Sequence, residues 1–201
     1  MDWVLFTSVF VTLFVIMDPP GTIPIFLSLT GGRSPQAARR LAWQAVAVSF
    51  GVITAFAFFG QRILSYLHIS LPALQGAGGL LLLLIALELL TGNEKEPSAA
   101  QETNVALVPL GTPLLAGPGA IVATMVFSKQ VDGFDEFAAV ALGVVAVHIT
   151  IWLAMRFSLP ILRVIRESGV LLVTRIAGLL LSAIAVQMIA NSVRAFVAGE
   201  G

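Results

Sequence analysis

Apolar residues fill six stretches of the chain almost without interruption, at roughly 3–30, 37–62, 71–91, 105–128, 136–157 and 173–197, and the charges, glycines and prolines collect between them. At 1.5 Å per residue each stretch is long enough, as a helix, to cross a hydrocarbon layer of ~30 Å. The pattern predicts an all-α membrane protein of six transmembrane helices. The second stretch has a marked start: Ser34 offers an N-cap oxygen, and Pro35 takes the first helical position, where a missing N–H costs nothing. Gly31-Gly32 suits the end of the helix before it.

Composition agrees with that reading. Hydrophobic residues make up 58% of the 201 residues and charged residues 11%, against about 25% charged in soluble domains; mean hydropathy is +0.97. The 11 Lys and Arg balance 11 Asp and Glu, so no basic arm points to nucleic acid, and the lipid bilayer is the expected surrounding. With no Cys, disulfides and thiolate chemistry are excluded. Met1-Asp2-Trp3 lacks the basic region of a secretory signal, so the first stretch reads as a retained span.

Where the positive charges fall sets the expected orientation. The loops after spans one, three and five carry Arg33, Arg39, Arg40, Lys95, Arg156, Arg163, Arg166 and Arg175, and the other side carries only Arg62, Lys129 and Arg194. Positive charge is retained on the cytoplasmic side. Residues 31–40, 92–104 and 158–172 are therefore expected in the cytoplasm, and both termini on the extracytoplasmic side of the cell membrane.

The chain also repeats itself. Met17-Asp18-Pro19-Pro20-Gly21-Thr22-Ile23 in span one matches Leu115-Ala116-Gly117-Pro118-Gly119-Ala120-Ile121 in span four at Pro20, Gly21 and Ile23, an offset of 98 residues. Gly79-Leu80-Leu81 and Glu88 in span three correspond to Gly178-Leu179-Leu180 and Gln187 in span six at nearly the same offset. Two halves of three spans follow, 1–91 and 105–197, joined by a cytoplasmic linker at 92–104, all in one transmembrane domain. Because three is odd, the second half enters the membrane from the opposite face, an inverted repeat. The apolar piece after each Pro-Gly, 22–29 and 120–127, would reach only ~12 Å, so each motif is expected to break its span at depth. Non-helical backbone survives there only in a protein-lined or wet environment. Each break starts a half-helix whose free N–H groups suit a carboxylate, and ends another whose carbonyls suit an ammonium group or Na⁺.

These motifs identify the chain as resembling the MarC family of bacterial and archaeal membrane proteins, which includes the SnatA-type small neutral amino-acid transporters. The likeness rests on the stretches 17–30 and 108–121 and on Arg175-Ile176-Ala177-Gly178-Leu179-Leu180 leading to Ala185-Val186-Gln187-Met188-Ile189. The family's first motif usually reads Asp-Pro-x-Gly-Asn, and Thr22 stands in place of the Asn. The resemblance implies transport of a small neutral amino acid coupled to Na⁺ or H⁺, with no cofactor. A passive channel and a structural membrane subunit stay open as alternatives, as does a homo-oligomer.

Individual residues sharpen the expectation. Asp18 is the only carboxylate well inside a span, where an acid usually faces a pathway or a partner; a cap for the next half-helix is its other reading. Thr22 and Thr112 have hydroxyls to offer, or to return to their own i−4 carbonyls. Gln187 reaches either the cavity or a neighbouring helix. The expected binding set is Asp18, Pro20, Gly21, Thr22, Thr112, Gly117, Pro118, Gly119 and Gln187, with Asp18 and His148 as carriers of the coupling ion or proton. An enzyme is not expected. An intramembrane protease needs a second embedded Asp, a His-Glu-x-x-His helix or a Ser with a basic partner, and no phosphate-binding Gly-x-x-x-x-Gly-Lys segment is present.

Overall fold

The computed structural model describes residues 2–31, 33–91, 115–129 and 131–199. Thr112, the linker 92–104 and the first part of span four lie outside the described residues. The described residues form seven helices: α1 (Trp3–Met17), α2 (Pro19–Thr30), α3 (Pro35–Tyr66), α4 (Leu71–Thr91), α5 (Pro118–Lys129), α6 (Phe134–Arg156) and α7 (Ser158–Val197). Five segments are long and apolar enough to cross a membrane: Trp3–Leu27, α3, α4, α6 and Ser168–Val197. Large apolar side chains such as Trp3, Phe58, Leu84, Ile149 and Leu179 are exposed on them, as surfaces solvated by lipid tails require. The chain is an all-α, multi-pass membrane protein.

Local chemistry sets the helix ends. The Asp2 carboxylate accepts from the N–H groups of Val4 and Leu5, both at 2.9 Å, and caps α1. Ser34 caps α3 by accepting from Ala37 N at 3.3 Å, with Pro35 at the first position. Glu136 closes the start of α6, accepting from the N–H groups of Asp132 (2.7 Å) and Gly133 (2.8 Å). The boundary between α1 and α2 is sharper. Pro19 and Pro20 cannot continue the α1 hydrogen-bond ladder, and a residue before proline is driven out of the right-handed helical region. Asp18 accordingly adopts φ 39°, ψ 70°, a left-handed conformation that Asp tolerates better than most residues. The first span is thus broken at Asp18. Pro118 likewise opens α5, and α2 and α5 have the same length, 12 residues.

The segment 158–172, expected as a loop from its charges, is helical. Pro160 fits within the first turn of α7, and Arg163 and Arg166 stand exposed on the helix, where a charged side chain needs only water and not an end to the helix. The one interruption is Arg166, at φ 60°, ψ 166°.

Helices α4 and α7 pack antiparallel along their length, tied at one end by Ser192 Oγ donating to Pro72 O at 2.7 Å. A methyl on Gly79 would stand 2.9 Å from Ala185 O and 2.8 Å from Ile189, and one on Gly178 would stand 3.3 Å from both Ala86 O and Leu90. Each glycine packs against the residues that correspond, 99 positions away, to the other's partners. The contacts of the two short helices are matched as well: α2 packs on α6 and α7, and α5 on α3 and α4. One buried cluster, with Leu13, Met17, Phe26, Ile53, Leu115, Ala120 and Ile151, unites α1, α2, α3, α5 and α6. A second, around Leu82, Val122 and Leu181, joins α4, α5 and α7.

Candidate functional site

The start of α2 is polar and closed. Asp18 is 8% exposed and Thr22 2%. The Asp18 carboxylate makes no capping hydrogen bond to α2, which separates it from the simple cap. Thr22 is turned back on its own helix, its Oγ1 donating to Asp18 O at 2.9 Å beside the backbone bond from Thr22 N at 3.0 Å. Gly21 faces the side chains of Asp18 and Thr174: a methyl there would overlap the carboxylate and stand 3.3 Å from Thr174 Oγ1. Since Pro19 and Pro20 have no N–H and the Thr22 N–H is bonded, this helix start presents one free amide, that of Gly21. It is a poor anion cradle and a good place for a cation.

The start of α5 has the opposite character. Leu115 is fully buried, Ala116 and Ala120 are 4% and 1% exposed, and Gly119 packs against the Leu82 side chain. Ile121 N donates to Gly117 O at 3.2 Å. The amides of Gly119 and Ala120, in the first turn, have no partner within their own helix, and with the helix dipole behind them they suit a carboxylate. Met17 of the first break and Leu115, Ala116 and Ala120 of the second share one buried cluster. The end of α1 at the first break and the residues around the start of α5 thus border one buried core.

His148 lies elsewhere in that core, 4% exposed on α6. Its Nδ1 is 2.7 Å from Val144 O, which can only accept, so Nδ1 carries the proton; Nε2, 3.2 Å from Ser49 Oγ, accepts from the α3 hydroxyl when the ring is neutral. Phe50 packs edge-on against the ring at 5.2 Å. Gln187 is on the exposed face of α7, its Nε2 donating to Asn191 Oδ1 at 2.8 Å, away from both breaks.

A cavity of about 310 Å³ opens between α3, α5 and α6, lined by Phe50, Ile53, Thr54, Thr124, Val140 and Val144 among others. That is the small end of the range for ligand sites. Its lining does not include Asp18, Gly21 or Gly119, but Thr124 is one turn of α5 beyond Ala120. Sequence reasoning missed both this cavity and Thr174. The signal for Thr174 was present: buried Val170, Thr174, Gly178, Leu181, Ala185 and Met188 recur at three- and four-residue spacing, the inward stripe of a helix, and Gln187 is off it. Among the described residues, no group of three or more His, Asp or Glu could hold a metal ion.

Comparison with known proteins gives a consistent picture. The family described as MarC family integral membrane protein matches residues 3–197. A UPF0056 membrane protein of Methanocaldococcus jannaschii is 39% identical, covering 96% of this chain and 98% of its own. Similar proteins of the same description occur in Aquifex aeolicus, 34% identical over 95% and 93% of the two chains, and in Bacillus subtilis, 33% identical over 90% of each. No solved structure matches the chain.

Proposed function

The chain belongs to the MarC family of integral membrane proteins, and from that premise we propose that it is a secondary transporter moving small neutral amino acids across the cytoplasmic membrane, coupled to Na⁺ or H⁺. The observation that carries this reading is that two half-helix starts of opposite character border one buried core. A zwitterion presents both charges, its ammonium to the acidic start of α2 and its carboxylate to the Gly119 and Ala120 amides. The proposed architecture is six spans in two inverted halves, with both termini extracytoplasmic. The reciprocal packing of Gly79 and Gly178, and the matched neighbours of α2 and α5, support it. Side chains close both breaks in this conformation, Asp18 and Thr174 over Gly21 and Leu82 over Gly119. That favours a carrier, which occludes its site, over an open passive channel.

The test is reconstitution of the purified protein into liposomes, with uptake of labelled glycine, alanine or serine driven by an imposed Na⁺ or H⁺ gradient. Saturable uptake and exchange against unlabelled amino acid inside are expected. Flux that rises linearly with concentration and shows no exchange would make the protein a channel, and no flux at all would remove the transport reading.

A further inference from the structure

Thr174 behaves unlike six other threonines of the bundle. Thr7, Thr22, Thr30, Thr91, Thr124 and Thr150 each return the hydroxyl to the carbonyl four residues earlier, the usual arrangement for Thr in a helix. Thr174 is 5% exposed, and its Oγ1 has no hydrogen-bond partner. A buried hydroxyl of this kind gives up an available bond to its own helix, and it is held where a ligand would complete it. It is directed across the α2–α7 contact at Gly21, beside the Asp18 carboxylate.

The end of α1 contributes to the same place. The carbonyls of Val15 and Ile16 would take their helical hydrogen bonds from residues 19 and 20, and both are prolines without an N–H. Phe14 O is used by Asp18 N at 3.1 Å, and Met17 O is approached by Thr22 Oγ1 at 3.5 Å. Helix α1 thus brings its negative dipole end, with two carbonyls deprived of their helical donors by the Pro-Pro pair, to the break that Asp18 begins. Every one of these groups is an oxygen. The Asp18 and Thr174 side chains converge on Gly21, where a methyl would overlap the Asp18 carboxylate and stand 3.3 Å from Thr174 Oγ1.

We propose that the Asp18 carboxylate, the Thr174 hydroxyl and the Val15 and Ile16 carbonyls form a site for a dehydrated hard monovalent cation, Na⁺. The ion takes oxygen ligands from a carboxylate and a broken helix end, as hard cations do at interrupted membrane helices. A proton on Asp18 would leave the carbonyls of Val15 and Ile16 unserved. This assignment rests on the transporter reading for its role in coupling, but not for its existence.

The experiment measures the thermal unfolding midpoint of detergent-purified protein against NaCl, with choline chloride holding ionic strength constant, because a ligand bound only to the folded state raises that midpoint in a saturable way. The wild type is expected to show a saturable rise with Na⁺. Thr174→Val should need at least about tenfold more Na⁺ for half the effect, the loss of about one ligand's contribution. Thr174→Ser keeps the hydroxyl and should stay close to the wild type, and Asp18→Asn should lose the response. The midpoints of the variants in choline alone show that they are folded. No Na⁺-specific rise in the wild type, an unchanged response in Thr174→Val, or a rise that acidification reproduces without Na⁺ would each overturn the site. A Na⁺ response in detergent without amino-acid flux in liposomes would leave the site standing and remove the transport role. Na⁺-driven flux whose Na⁺ dependence ignores Thr174→Val would do the reverse.

Discussion

The two breaks correspond residue for residue in the elements that shape the backbone and differ in those that carry polarity. At an offset of 98 residues Pro20 and Gly21 answer to Pro118 and Gly119, whereas Asp18 answers to Ala116 and Thr22 to Ala120. Proline and glycine decide where a helix stops and the next begins, and they stand at both breaks. The side chains around them differ: the first break has an acid and, from α7, the Thr174 hydroxyl, and the second is sealed by Leu82. The same backbone device thus has two electrical characters, which suits the proposed recognition of a dipolar solute.

The largest effect expected from disturbing that difference comes from Asp18→Asn. Neutralising the acid makes the first break resemble the second, and Asn keeps the size and the tolerance of the left-handed conformation. Gradient-driven uptake in liposomes should fall by two orders of magnitude or more, on the order of 3 kcal/mol of lost ion or substrate binding, with thermal stability in Na⁺-free buffer close to that of the wild type. Uptake within threefold of wild type would remove the charge from the mechanism.

Gly119→Ala probes the apolar break and should act through packing. Its methyl would overlap the end of the Leu82 side chain, an overpacking worth about 1–3 kcal/mol. Combining it with Leu82→Ala should recover part of that loss, because the truncated side chain makes room. A double variant no more stable than the sum of the two single changes would show that the contact does not set the cost.

The smallest effects are expected at two residues that the sequence singled out. Thr22→Val removes a hydroxyl bonded to the backbone of Asp18 and near that of Met17, and Gln187→Leu alters an exposed position bonded to Asn191. Each should change stability by less than about 1 kcal/mol and leave the KM for amino acid within about threefold. A tenfold rise in KM for either would place that side chain at the ligand in a conformation other than this one.

What the sequence disclosed and what it concealed divide along a physical line. The positions of five spans, the Ser34 cap and the break at Asp18 were legible because each depends on chemistry within a few residues: apolar run length, a cap oxygen, a pair of prolines. Thr174 and Gln187 differ by tertiary placement alone. Each helical residue turns about 100° from the last, so Met188 is buried while Gln187 faces outward, and composition does not reveal which way a wheel is turned. The cavity was hidden for a related reason. Phe26, 98 residues before Thr124, is 3% exposed in the core, a large apolar side chain where α5 has a small polar one beside the cavity. The helical start of α7 was missed because its arginines were read as a break in the helix, when a helix at the membrane surface can carry them into water.

The bond between Ser49 and His148 has a mechanical consequence. These residues are themselves 99 positions apart, so in the proposed inverted repeat each occupies the other's place, and their contact straddles the axis that exchanges the halves. When two halves trade conformations about an axis, distant points travel furthest and points on the axis stay where they are. The hydroxyl and the imidazole would then act as a bearing, holding α3 and α6 together with the same partners whichever face of the membrane the carrier opens to.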